Sequence, residues 1–321
     1  MEDYPHTVAE LESRFTSEDA CLEYVAALRW PDGFVCPTCQ GREAWRTGRG
    51  LWHCGRCGRQ TSATSGTMFH RTRKPLSLWF RAMWHIVSQK YGANALRLQR
   101  VLALGSYQTA WAWLHKMRRA MVRPGRDRLQ SPVQADETYI GRHERGGKRG
   151  RGAEGKVMVA IAVEDQGPGR IGRIRLRHVL DGRAVTLNRF IASAVAPGSV
   201  VLTDEWRGYA QLPAIGYTHR IVPPAELRLP HLVASLLKRW LLGTYQGAVR
   251  PSHLAYYLDE YTFRFNRRTS RSRGKLFYRL VQQALLVDPV PGPTLKGSPS
   301  SPQGDDLDVP PQEETLHMGV T

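Results

Sequence analysis

The period of the apolar positions changes along the chain. From 75 to 126 apolar residues recur at helical spacing, as in Leu78, Trp79, Met83, Trp84, Ile86 and Val87, without the alternation of a half-buried strand. After Arg128 short apolar runs rich in β-branched residues take over. They predict strands at 132–140, 156–164, 171–180 and 199–204, with a helix-like stretch at 183–195 before the last of these. A second helical run covers 231–242. Ahead of residue 73 the chain is punctuated by Gly33, Gly41, Gly48, Gly50, Gly55 and Gly58, which predict tight turns, with Trp45, Leu51 and Trp52 as a small apolar face. Beyond Leu286, Pro, Gly, Ser and acids replace apolar residues, so this segment is expected to bury no core and to be disordered. Four units are thus predicted: an N-terminal segment with a turn-rich head at 1–73, a helical region at 74–128, an α/β domain at 129–285 and a tail at 286–321.

Three strands in hairpin succession, a crossover helix and a fourth strand describe a mixed sheet in which the first and fourth strands lie side by side. That is the order of an RNase H-like domain. It brings together Asp136, in the first strand, and Asp204, at the end of the fourth. Asp is common at turns, and each acid alone could simply mark a strand end. Two acids delivered from buried strands in a chain of net charge +18 read instead as paired ligands for divalent metal acting on phosphodiesters.

The charge sharpens this reading. Lys and Arg number 46 against 28 Asp and Glu, which points to a polyanionic partner, nucleic acid first. No run approaches the ~18 apolar residues of a membrane span, and no signal-like stretch opens the chain, so a soluble, unsecreted protein is expected. Within the helical region, Gly105 separates two helical runs. A helix-turn-helix would place Tyr107, Gln108 and Thr109 at the N-terminal end of the second helix, where side chains reach base edges. A plain helical hairpin is the alternative. Between the first two strands of the α/β domain lies a basic, Gly-rich hairpin with Arg142, Lys148 and Arg149, suited to phosphate contact or to solvation.

Cys36 and Cys39, then Cys54 and Cys57, form two Cys-x-x-Cys knuckles. Each turns two thiolates toward one point, and together they complete the closed four-sulfur shell of a structural Zn²⁺. Cys21, the fifth cysteine, is expected to pack as a small apolar residue. The helix at 231–242 contains no acid. His231 opens it and Lys238 follows two turns later on the same face. Taken alone, a His at a helix start reads as a cap or surface residue.

Ala135-Asp136-Glu137-Thr138-Tyr139-Ile140-Gly141 and Thr203-Asp204-Glu205-Trp206-Arg207-Gly208-Tyr209 resemble the ISXO-like insertion-sequence transposases, zinc-ribbon members of the DDE superfamily. So do Leu237-Lys238-Arg239-Trp240-Leu241-Leu242-Gly243-Thr244-Tyr245-Gln246-Gly247 and Tyr257-Leu258-Asp259-Glu260-Tyr261-Thr262-Phe263-Arg264-Phe265-Asn266-Arg267-Arg268, and the likeness covers roughly residues 15–285. It implies a catalytic site of Asp136, Asp204, His231 and Lys238, with the first three holding Mg²⁺ or Mn²⁺. It also implies a bacterial, cytoplasmic DNA transposase, nucleoid-associated when bound, that cuts and joins strands as a homo-oligomer on transposon ends and target DNA. A catalytically decayed zinc-ribbon regulator is the alternative. Glu137, Glu205 and Glu260 are the acids that could substitute if His231 is no ligand.

Overall fold

In a computed structural model of the chain, residues 2–123, 125–130, 132–141, 156–246, 249–290 and 295 are described. Helices α1 (Val8–Arg14) and α2 (Glu18–Arg29) precede a small antiparallel sheet of β1 (Ala44–Arg46), β2 (Trp52–Cys54) and β3 (Gln60–Thr61). Next come α3 (Leu76–Ser88), α4 (Ala95–Val101) and α5 (Tyr107–Ala120). The α/β part runs β4 (Val133–Gly141), β5 (Lys156–Asp165), β6 (Ile171–Val179), α6 (Ala184–Ala194), β7 (Val200–Thr203), β8 (Thr218–Ile221), α7 (Arg228–Tyr245), α8 (Leu254–Asn266) and α9 (Arg273–Leu286). Each element the sequence predicts in this part is present, with ends shifted by three residues or fewer.

The large sheet has the order β6-β5-β4-β7-β8, antiparallel across β6, β5 and β4 and parallel across β4, β7 and β8. Both faces are covered, which is why β5 reads as an unbroken apolar run. Ala160 and Ala162 face one core with Leu187, Phe190 and Ile191 of α6. Val159, Ile161 and Val163 face the other with Val233, Leu237 and Leu241 of α7 and Leu258 and Tyr261 of α8. The edge of β6 is closed by a side chain. Asn266 accepts from the Ile174 amide at 2.7 Å and donates to the Ile174 carbonyl at 3.1 Å, satisfying groups that an open edge would present to another strand.

A separate core holds α1, α2, α3 and α5 together with Phe277, Leu280, Val281 and Ala284 of α9. Trp79 stacks on Trp113 there, ring centroids 3.7 Å apart. The last helix of the expected 129–285 span therefore packs among the N-terminal helices. Cys21 is fully buried in the same core, and burial pushes its thiol up to about 12. Of the segment expected as a tail over 286–321, residues 286–290 and 295 are described. Val287 and Val290 are buried, and Leu295 packs against Tyr256 while its carbonyl lies 3.1 Å from Nε2 of His253. These three apolar side chains stand in a stretch whose average composition is polar.

Candidate metal and DNA site

The parallel pairing of β4 with β7 sets the level of the two acids. Val133 pairs with Val201 and Gln134 with Leu202, and Asp136 and Asp204 each stand two residues beyond that last pair. Alternation along β4 sends Val133 and Ala135 into the α6 core and leaves Asp136 on the α7 side. Its side chain is 18% exposed. Burial pushes the Asp136 carboxyl above the ordinary range and the charge of Asp204 adds to this, while the Glu137 amide and His231 pull the other way. Oδ1 of Asp136 accepts from the Glu137 amide at 2.7 Å, and Oδ1 of Asp204 accepts from the Trp206 amide at 3.0 Å.

Helix α7 brings His231 to this spot. The helix starts at Arg228, so His231 lies in its fourth position and is neither a cap nor the opening residue. Pro230 fits in the first turn because the missing N–H has no partner to lose there. The Leu229 amide donates to Oε1 of Gln134 at 3.1 Å, docking the helix start beside β4 two residues before Asp136. His231 Nε2 then stands 3.1 Å from Oδ2 of Asp136, with its ring half exposed. That is a hydrogen-bond distance, so the structure brings His231 and Asp136 together; among the described residues the four cysteines alone converge as a set of three or more metal-type ligands, and Asp204 does not close up with this pair to that degree. Among the described residues Asp204 hydrogen-bonds to neither of them. Lys238 is exposed two turns on. Partial burial and the ammonium of Lys156 lower its proton affinity, and two adjacent cations suit a phosphate. Lys156 escaped the sequence reading; its signal was its position as the first residue of β5, opposite Gly141.

The acids proposed as substitutes lie elsewhere. Glu260 is buried in ion pairs with Arg118 and Arg264, each at 2.8 Å. Glu137 faces Tyr209, which is fully buried under the opposite side of the sheet. Glu205 is exposed beside Asp204. The turn after Asp204 is held tightly: Trp206 Nε1 donates to the Gly182 carbonyl at 2.8 Å, and a Cβ on Gly208 would meet that same carbonyl at 2.7 Å.

In the small sheet, the sulfurs of Cys36, Cys39, Cys54 and Cys57 lie within 4.8 Å of one another. The Cys36–Cys57 and Cys39–Cys54 separations are 3.6 and 3.5 Å. Tetrahedral Zn²⁺ with bonds of about 2.3 Å needs sulfurs about 3.8 Å apart, so the donors fit zinc. The Cys39 amide aimed at Cys36 helps bring that thiol down to about 6, favouring the thiolate a metal binds. Phe34, Trp30 and Trp52 pack beneath the knuckles. Trp45 does not join them: it is 56% exposed and stacks on His53.

Residues 128–266 match the ISXO2-like transposase domain, and residues 16–60 match the transposase zinc-ribbon domain. The chain belongs to the transposase family that carries these domains. It is 26% identical over 303 residues to an uncharacterized protein in transposable element ISH50 of Halobacterium salinarum, covering 85% of this chain and 98% of that one. A chain in a simian T-cell lymphotropic virus intasome complexed with the PP2A regulatory subunit B56 gamma aligns at 15% identity and a TM-score of 0.28. The alignment covers 56% of this chain and 64% of that one, a likeness too loose to bear on fold or function.

In this transposase-family chain, α4 and α5 form the helix, turn and helix that the sequence suggests. Ser106 is the N-cap of α5 and accepts from the Thr109 amide at 3.1 Å, a cap worth about 1 kcal/mol. Tyr107 and Gln108 are exposed on the first turn, whereas the Thr109 hydroxyl lies 2.9 Å from that of Ser106 and is partly covered. Arg142, Lys148 and Arg149 lie outside the described residues. No described helix is long and apolar enough to cross a membrane.

Proposed function

We propose that the protein is a DNA transposase of an insertion sequence, with an RNase H-like catalytic domain that cuts and joins DNA strands at element ends. The observation that carries this reading is the contact of His231 with Asp136 at the sheet level of Asp204. Asp136, Asp204 and His231 would hold Mg²⁺ or Mn²⁺, which when bound activates the attacking oxygen and neutralises charge on the departing one. Gln134 positions the start of α7, and hence His231, against β4. Lys238, with Lys156 beside it, orients a nearby phosphate as a point charge. An imidazole brings nitrogen and no charge, so Mn²⁺, which accepts nitrogen more readily, is expected to serve better than Mg²⁺.

The proposed organisation keeps a zinc-stabilised head over 1–73, a DNA-reading helical region over 74–128 with Tyr107, Gln108 and Thr109, a catalytic domain over 129–285 and a tail over 286–321. The hairpin with Arg142, Lys148 and Arg149 adds phosphate contacts. A homo-oligomer would assemble on the ends in the cytoplasm. The test is strand cleavage of a duplex carrying the element's end sequence, with Mg²⁺ or Mn²⁺, by the protein and by Asp204→Ala. Cutting at the end that Asp204→Ala loses supports the proposal. End binding with no cutting in either metal supports the decayed regulator instead, and cutting that ignores the end sequence indicates a general nuclease.

A further inference from the structure

A cavity of about 680 Å³ opens where α2, the segment after α5, β6, α8 and α9 meet. None of Asp136, Asp204, His231 or Lys238 lines it. Seven arginines do. Arg29 comes from α2, Arg123 and Arg126 from the segment after α5, and Arg173 and Arg175 from β6, while Arg267 follows α8 and Arg279 lies in α9. The single acid in the lining is Asp127. Three more stand just outside: Glu164 pairs with Arg173, Glu2 with Arg279, and Asp259 faces Arg126. Counting all four acids against the seven arginines still leaves 7 − 4 = +3.

The excess is concentrated on two side chains. Arg175 is 5% exposed and, among the described residues, donates to the carbonyls of Ile174 and Asp127. Arg267 donates to the Phe263 carbonyl at 3.4 Å, lies over the Phe263 ring and, with the Gln283 amide in its satisfied orientation, donates to the Gln283 oxygen at 3.2 Å. Among the described residues no carboxylate pairs with either. Burying a guanidinium is costly: burial and the neighbouring arginines bring Arg175 down to about 9, although Glu164 and Asp127 pull the other way, and bring Arg267 to about 10. A protein that only needed a packed joint would do better with apolar side chains there. Guanidiniums converging from five elements on one cavity match a multidentate oxyanion instead.

We infer that this cavity is a second anion site, separate from the metal site, that takes phosphate groups carried either on the DNA backbone or on a free polyphosphate. It ties the N-terminal helices to β6 and α8, so an anion bound there clamps the helical part onto the sheet.

Inorganic tripolyphosphate and a short labelled duplex are the probes, applied to the full-length zinc-loaded protein, its Arg175→Gln/Arg267→Gln variant and the exposed control Arg189→Gln. Tripolyphosphate is expected to raise the melting temperature of the protein and of Arg189→Gln. The double variant is expected to melt higher than the protein without ligand and to bind tripolyphosphate roughly tenfold or more weakly. If duplex affinity falls in step and tripolyphosphate displaces the duplex, the site takes backbone phosphate. If duplex affinity is unchanged, it takes the free anion. Binding of tripolyphosphate by the double variant as tightly as by Arg189→Gln overturns the inference. Should the double variant lack a cooperative melt, Arg123→Glu at the half-exposed mouth decides: it must weaken tripolyphosphate binding at least severalfold, and an unchanged affinity overturns the proposal.

Discussion

Nε2 of His231 lies 3.1 Å from Oδ2 of Asp136, across the gap between the first turns of α7 and the middle of β4. The pair joins residues 95 positions apart through a helix start that Gln134 anchors. Its energetics make a first prediction. Burial raises the Asp136 carboxyl, so the folded protein binds this proton more tightly than the unfolded chain does. The stability linked to the group is fully present below its unfolded pKa and is lost as pH rises through the higher folded value. Metal-free Asp136→Asn should therefore melt above the wild type at neutral pH, with the gap narrowing as pH falls into the carboxylate range. Added Mn²⁺ should raise the melting temperature of the wild type only. Thermal melts across pH check this, and a variant that melts lower at neutral pH would contradict it.

Zinc removal should unfold the head. Structural zinc contributes about 10 kcal/mol or more in such small modules, so Cys36→Ser is expected to lose the metal and the order of β1 to β3. Cys21→Ala should keep one zinc per chain, because Cys21 sits in the helical core away from the knuckles. Metal analysis of the purified variants decides, and full zinc in Cys36→Ser would refute the assignment.

Glu260→Gln should destabilise by about 3 kcal/mol, since it leaves Arg118 buried without its counter-charge. Mn²⁺ binding should survive in the folded fraction. Denaturant melts and Mn²⁺ titration separate the two effects, and loss of metal binding without loss of stability would return Glu260 to the list of ligands.

How far the chain could be read depended on the range of each interaction. The knuckles were legible because four ligands fall within 22 positions, and β5 because a strand covered on both faces is apolar throughout. The level of Asp136 with Asp204 followed from strand order alone. Glu260 was not legible: its partner Arg118 is 142 positions away, and nothing local distinguishes a buried acid with two arginines from a metal ligand. Helix α7 starts at Arg228, three residues ahead of the expected His231, and takes in Pro230 because a first-turn proline costs no hydrogen bond. Trp45 was assigned to the apolar face by composition, but in a three-residue strand one side must face outward. The arginine cavity collects residues from Arg29 to Arg279, and no window of sequence shows it.

Single-turnover cleavage of an end-containing duplex by His231→Ala, in Mg²⁺ and in Mn²⁺, tests the central claim most directly. If His231 completes the metal site with Asp136 and Asp204, His231→Ala should be severely impaired in both metals, while His231→Glu retains cutting and shifts its preference toward Mg²⁺, the harder cation. Cleavage by His231→Ala at the wild-type rate in both metals would contradict the account and leave His231 as no more than a neighbour of Asp136.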